Sequence, residues 1–513
     1  MSVVKKAAKS AAVIMILTLV SKVLGFLRDM LTASKFGSGW ETDTYFVALT
    51  ASMMITEIVG RAINTTVIPI FSEIEVKKGK EEKIKFTNNL INILFILSLL
   101  AMMIAWFLSP LIIKLMAQGF HGEQFNLAVR LNRIGLPIMA LLSTASVFSG
   151  FLESSQSFSA PASRGVFLNF IYIIFLIFFS QRYKIEGLMA AGTLAAFSEI
   201  LIQIPASKKI GYKYAFCFDL KDKYIRGVLS LTVPVIIGSA VNSINTIIDR
   251  TIASCLADGS ISSLNYASKI QGFILNIFAV TVTTVIFPML SNKKSNDDMD
   301  SLKEVIEYGI NLIIILILPA SIGLIIFAEP IVGTFFKRGA FDNIAVHMTS
   351  QALIFYSLGL LGASLTTMIS SIYYSIHDTK TPMINGIFAV CLNIVLNLIL
   401  VKFMAHRGLA LATSISDIFV CILLIKGMGK KIHNFSIKNN MPCFLKSLIS
   451  SALMGILVYI IYYSTIGLMK GKLMELLLLV LTAFVGIIVY IILCCKFNIK
   501  EVKIIAEKVK NRK

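Results

Sequence analysis

Thr65-Thr66-Val67-Ile68-Pro69 returns later in the chain as Thr283-Thr284-Val285-Ile286-Phe287-Pro288. Pro110 and Gly119 return as Pro330 and Gly339. Pro161 and Gly165 return as Pro382 and Gly386, and Gly187-Leu188 as Gly408-Leu409. The offset stays between about 218 and 221 residues over four separate blocks, which marks an internal repeat.

Hydrophobic runs of around twenty residues fill the space between these landmarks, each long enough to cross a ~30 Å hydrocarbon core as a helix. Of the 513 residues 56% are hydrophobic and 15% charged, and the mean hydropathy is +0.81, far more apolar than a soluble protein of this size. The expected fold is an all-α polytopic membrane protein of about fourteen transmembrane helices. An N-terminal lobe, 1–217, holds helices at about 11–34, 43–72, 87–115, 126–155, 162–181 and 186–206. A C-terminal lobe, 218–435, holds helices at about 226–255, 261–291, 303–328, 342–375, 382–402 and 407–427. Six is even, so the two lobes are expected to be parallel, related by an axis along the membrane normal as in alternating-access transporters. Residues 436–513 add two helices, at about 444–464 and 474–494, and a basic cytoplasmic tail. The first run follows Lys5, Lys6 and Lys9 like a signal peptide. It lacks a small-residue cleavage site and carries Lys22, Arg28 and Asp29, so it is expected to remain as a helix.

A formal net charge of +20 would suit nucleic acid, but its distribution points elsewhere. Alternate loops, at 5–9, 77–85, 208–226, 293–303, 426–446 and 496–513, hold roughly 31 Lys and Arg against roughly 12 on the other side. That bias places both termini of a multi-pass membrane protein in the cytoplasm, and anionic lipid explains the basic loops without nucleic acid. The seven cysteines and five histidines show no metal-ligand spacing. No phosphate-binding loop is present, and the longest cytoplasmic loop, about 207–224, is too short to house an ATPase. A gradient must power any work, with no cofactor.

Five cations lie inside the apolar segments: Lys22, Arg28, Arg61, Arg250 and Lys269. A buried cation costs at least ~3 kcal/mol on insertion scales, so such residues face a polar cavity, and a cationic cavity suits an anion. In Ser21-Lys22-Val23-Leu24-Gly25-Phe26-Leu27-Arg28-Asp29, Lys22 and Asp29 share a helix face, and Gly25 lets the helix bend or a head group approach. The alternative for Arg28 is a structural pair with Asp29. Glu57 and Arg61, spaced i,i+4, read better as a pair within one helix. Asn393 and Asn397 stand one turn apart, as do Thr413 and Asp417; with Asp249 such oxygens could hold a monovalent cation, or simply hydrogen bond between helices.

The run 21–29, then Phe36-Gly37-Ser38-Gly39, Thr42-Asp43-Thr44-Tyr45-Phe46-Val47-Ala48 and Val67-Ile68-Pro69-Ile70-Phe71, resembles the N-terminal signature of the MurJ (MviN) lipid II flippases. Tyr266-Ala267-Ser268-Lys269 and Thr379-Lys380-Thr381-Pro382 match further blocks of that family, a branch of the multidrug/oligosaccharidyl-lipid/polysaccharide exporter superfamily. The resemblance implies a transporter, not an enzyme, that moves undecaprenyl-pyrophosphate-linked disaccharide-pentapeptide from the inner to the outer leaflet for peptidoglycan synthesis, alongside cell-wall synthesis proteins. It implies head-group contacts at Lys22, Arg28, Asp29, Asp43 and Lys269, with Arg61 in partial compensation for a family arginine missing around 55–56. For sodium as coupling ion it implies Asp249, Asn393, Asn397, the Leu409 carbonyl and Thr413. The family usually has Arg where this chain has Lys22 and Lys269, which keeps the charge and loses the bidentate fork. It has an acid where sodium-binding members match Asn397. These departures leave open an exporter of another polyprenyl-linked oligosaccharide. A drug or cation antiporter of the same superfamily would need an acidic cavity.

Overall fold

The computed structural model describes residues 3–287, 299–432, 435–468 and 471–503. Side chains at 3–12, at 55, 57–59, 61–62 and 64–65, at 229, 231 and 233–242, and at 299–300, 430 and 468 fall outside the description. Glu57 and Arg61 are among these. Helices dominate, and no strand occurs among the described residues. Eleven described helices are long and apolar enough to cross a membrane. Three others carry sequence-predicted charges: α1 (Val3–Phe36), α2 (Trp40–Lys78) and α9 (Lys223–Ser254), of 34, 39 and 32 residues.

The first compact unit comprises Met1–Ser262 and Arg338–Phe341. Besides α1, α2 and α9 it contains α3 (Lys80–Met116), α4 (Gly122–Gly135), α5 (Pro137–Ser154), α6 (Ser159–Ile174), α7 (Ser180–Leu201) and α8 (Gln203–Lys209). The single helix expected over 126–155 is bent between α4 and α5, because Pro137 has no N–H to continue the ladder. A five-residue π-helical turn, Phe175–Phe179, carries α6 toward α7. Helix α2 packs against α3, α4, α5 and α9, and Phe71 meets Phe86 and Phe151 edge-on at centroid distances of 5.6 and 6.1 Å. In lipid this packing, rather than transfer of apolar surface from water, holds helices together.

The second unit comprises Ser263–Lys337 and Asp342–Lys513. Helix α10 (Ser260–Leu275) leads into it through a second π-helical turn, Asn276–Val280. Then come α11 (Met299–Ile326), α12 (Ala328–Phe336), α13 (Asn343–Ser375), α14 (Lys380–Met404) and α15 (His406–Lys431). The C-terminal pair is α16 (Met441–Thr465) and α17 (Lys472–Lys496). It packs together and onto α11, where the Tyr490 hydroxyl donates to the Ile315 carbonyl at 2.9 Å. Contact compactness assigns α9 to the first unit through α2, so the unit boundary falls later in the chain than the start of the sequence repeat.

The repeat is written into the backbone. Gln156 and His377, 221 residues apart, both take positive φ, 58° and 61°. Lys184 (φ 48°, ψ −148°) and Ala405 (φ 49°, ψ −133°), again 221 apart, make the same one-residue break between helices. The turn Ser157 N–H to Leu152 carbonyl, 2.9 Å, reappears as Asp378 N–H to Tyr373 carbonyl, 2.9 Å. Non-glycine residues enter this φ region rarely and at a cost, so paired excursions at a fixed offset mark one ancestral unit used twice.

Candidate functional site

Helix α1 places the first group. Arg28 donates through Nε and Nη2 to the same Asp29 oxygen, at 3.1 and 2.8 Å, and both side chains are part-exposed. The guanidinium lies 5.2 Å from the centroid of the Tyr172 ring on α6, close enough for a cation–π contact. Asn169, one turn before Tyr172, donates to the Ser21 carbonyl at 3.0 Å and ties α6 to α1. Gly25 has only ordinary contacts with Asn169 around it, so its neighbourhood is roomy. Lys22 is exposed, two turns from Asp29, and makes no hydrogen bond or ion pair among the described residues. The structural pairing of Arg28 with Asp29 is therefore present, and it leaves the Arg28 Nη1 edge and Lys22 as donors. Sequence reasoning missed Tyr172 and Asn169, which lie more than a hundred residues from α1 with no local signal.

Asp43 has a different setting. Its carboxylate is buried, accepting from the Gly259 N–H at 2.7 Å, the Ser262 N–H at 2.7 Å and the Ser262 hydroxyl at 2.6 Å. These donors belong to the first turn of α10 and the residue before it, all within the first unit. A carboxylate at a helix start satisfies orphan N–H groups and meets the positive end of the helix dipole. In this conformation Asp43 is engaged by backbone rather than open to a ligand. Arg250 donates to the Ile261 carbonyl at 3.4 Å close by.

The same end of the unit carries a contact made twice. A Cβ on Gly119 would meet the Ser254 carbonyl oxygen at 2.1 Å, and one on Gly339 would meet the Ser34 carbonyl oxygen at 2.2 Å. Gly119 and Gly339 are repeat partners, and Ser34 and Ser254 are separated by the same 220 residues. Both contacts lie inside the first compact unit, and each pairs a glycine of one repeat with a serine of the other.

Lys269 lies on α10 in the second unit with its side chain exposed. The oxygen-rich group is there as well. Asn393 and Asn397 are buried on α14, with Asn397 Nδ2 donating to Asn393 Oδ1 at 2.8 Å. On α15, which packs against α14, the Thr413 hydroxyl donates to the Leu409 carbonyl at 3.0 Å. Asp249 is in the first unit, where Asn245 Nδ2 approaches its carboxylate at 3.4 Å. The second unit's donors, those of Asn393, Asn397, Leu409 and Thr413, are neutral oxygens, which suit a hard monovalent cation better than a transition metal. No group of three or more His, Cys, Asp or Glu with metal-binding geometry occurs among the described residues.

Residues 32–482 match the family model described as "Lipid II flippase MurJ". The chain is 30% identical over 421 residues to a probable lipid II flippase MurJ of Buchnera aphidicola subsp. Acyrthosiphon pisum (strain APS), covering 81% of this chain and 82% of that protein. Among solved structures it is similar to a lipid II flippase MurJ in an inward closed conformation, with a TM-score of 0.79 at 28% identity over 94% of this chain and 98% of that one. A multidrug resistance MATE family transporter of the MOP superfamily, inward-facing, superposes with a TM-score of 0.67 at 14% identity over 82% and 98%, a likeness of fold alone.

Proposed function

The chain belongs to the lipid II flippase MurJ family, and on that premise we propose how its own residues carry the activity. It is a lipid II flippase of the membrane, a multi-pass transporter and not an enzyme. Its substrate is a polyprenyl-linked, pyrophosphate-bearing glycan whose head group cannot cross hydrocarbon unaided, while the polyprenyl tail can stay in lipid.

The observation that carries the reading is the charge pattern of α1. Asp29 fixes the Arg28 guanidinium from one side, Tyr172 supports its face, and Lys22 projects two turns away. A pre-oriented guanidinium with a free edge, together with a point-charge ammonium, suits a pyrophosphate. Lys269 supplies a further cation in the second unit, and Asp43 acts through backbone, holding the start of α10. Both termini face the cytoplasm in this reading. The membrane potential, negative inside, then favours outward movement of each anionic charge by ~2.3 kcal/mol per 100 mV, so export of the loaded carrier is electrically assisted. Within the second unit Asn393, Asn397, the Leu409 carbonyl and Thr413 are the oxygens that would hold sodium, whose inward gradient would help reset the empty carrier; the part the family resemblance gives Asp249 rests on that resemblance. The antiporter alternative needs an acidic site, which the cations of α1 disfavour.

Depletion and rescue tests the assignment. Arg28→Ala and Lys269→Ala should reach the membrane at wild-type levels yet fail to rescue cells lacking their own lipid II flippase. Lys22→Arg should rescue, since it restores the bidentate fork. Full rescue by both alanine variants would remove the cations from the mechanism.

A further inference from the structure

The connector from α8 to α9, residues 210–222, is fastened to α3 by three buried asparagines. Asn88 donates to the Lys213 carbonyl at 3.0 Å and accepts from the Tyr212 hydroxyl at 2.6 Å. Asn89 pairs with both backbone groups of Asp219, at 2.8 and 2.7 Å. Asn92 donates to the Cys217 carbonyl at 2.9 Å and accepts from the Tyr214 hydroxyl at 2.9 Å. Each asparagine uses donor and acceptor together, so the clamp fixes position and register.

What the clamp holds outward is apolar. Tyr214, Phe216, Phe218 and Leu220 are 61%, 75%, 45% and 52% exposed, at the period-two spacing of an extended chain. Around them stand exposed Lys208, Lys209, Lys213, Lys221, Lys223 and Arg226 against two acids, Asp219 and Asp222. The apolar belt of α3 starts at Phe95, three residues past Asn92, and continues through Leu97 and Leu100, all exposed. At 1.5 Å per residue the clamp therefore lies about 4.5 Å from the edge of that belt. Aromatic rings beside cations at the margin of a hydrocarbon-facing surface match the head-group layer, where rings partition and lysines meet lipid phosphates.

We propose that residues 212–223 form a membrane-interface anchor, with Tyr214, Phe216 and Phe218 seated among lipid head groups and Lys213, Lys221 and Lys223 bound to anionic phospholipid. Which leaflet it occupies rests on the cytoplasmic assignment of this loop. The lipid contact itself does not.

The test uses full-length Phe216→Trp protein in nanodiscs, which expose both membrane faces, with wild type subtracted to remove Trp40 and Trp106. The added tryptophan should emit to the blue and lose roughly half its intensity when the lipids carry brominated chains. Quenching should be stronger with about 30% phosphatidylglycerol than in pure phosphatidylcholine, and Lys213→Gln/Lys221→Gln/Lys223→Gln should abolish that difference. Water-like emission insensitive to brominated lipid, in this variant and in Phe218→Trp, would overturn the anchor and leave the strip for a protein partner. Equal quenching with and without phosphatidylglycerol would overturn the anionic preference. A reporter fused after Lys209 that reads external would overturn the leaflet assignment, separately from the quenching result.

Discussion

The two halves share a backbone frame and exchange its chemistry. In the first half Tyr172 on α6 faces Gly192 on α7, where a Cβ would meet the tyrosine hydroxyl at 2.3 Å. The positions 221 residues on are Asn393 and Thr413. An aromatic ring that fills space in one half is replaced by amide and hydroxyl oxygens in the other. Nearer the start of α6 it is the first half that carries the stronger polar groups. There Arg164 binds the buried Glu199 through Nε at 2.7 Å and Ser149 through Nη1 at 2.8 Å, and Ser149 continues to Gln203 at 2.9 Å. The equivalents of Arg164 and Glu199 are Asn385 and Val420, so the second half has no charge at either position. Helix breaks and turns are set by backbone and tolerate either filling, so duplication kept the frame while each half took its own polar core.

The largest effect should come from separating Arg164 and Glu199. Glu199→Val alone leaves a partly buried guanidinium uncompensated and should cost about 3–5 kcal/mol, read as lowered thermal unfolding in detergent. Importing the other half's solution in full, Arg164→Asn with Glu199→Val, removes both charges together and should recover most of that loss. If the double variant is as unstable as the single one, the two cores are not interchangeable and the comparison fails.

A second pair of variants asks whether the reciprocal contact is symmetric in energy as well as in geometry. Gly119→Ala and Gly339→Ala each push a methyl group into a backbone carbonyl. Each should lower stability by about 1–3 kcal/mol, and by similar amounts. A large loss at one and none at the other would show that only one half relies on the approach.

The smallest effect concerns the turns at 157 and 378, of identical hydrogen bonding but different side chain. Asp378 accepts from the Thr381 N–H and hydroxyl, at 3.0 and 2.7 Å, and pairs with Lys431 at 3.2 Å. The Thr381 hydrogen bonds, helped by Lys431, hold its carboxyl down at about 2. A depressed carboxylate contributes stability that is fully present above its ordinary value near 4 and is lost as pH falls through about 2. Asp378→Asn should therefore flatten the acid limb of the unfolding curve in that window. Ser157→Ala should leave it unchanged. An unaltered acid limb in Asp378→Asn would show that this turn does not sense pH.

Much of this was legible in the sequence, for identifiable reasons. Periodic apolar runs, the Pro and Gly landmarks and the alternation of basic loops are local signals. They gave the helices, the repeat and the cationic character of α1. Pairings across the chain left no such trace. Nothing near Arg28 points to Tyr172, and nothing near Asn88, Asn89 and Asn92 points to a loop more than a hundred residues away. Asp43 was readable as an acid near a helix end, but its partners, the N–H groups of Gly259 and Ser262, are backbone and have no sequence signature. The bend at Pro137 was marked by the proline itself, yet a hydrophobic run passes through it uninterrupted.

The most direct test of the account is flipping measured on purified protein in liposomes carrying fluorescent lipid II, with Arg28→Ala compared against wild type under an imposed inside-negative potential. Wild type should move lipid II, and Arg28→Ala, folded and inserted to the same extent, should be at least about tenfold slower. An Arg28→Ala protein that flips lipid II at the wild-type rate would contradict it.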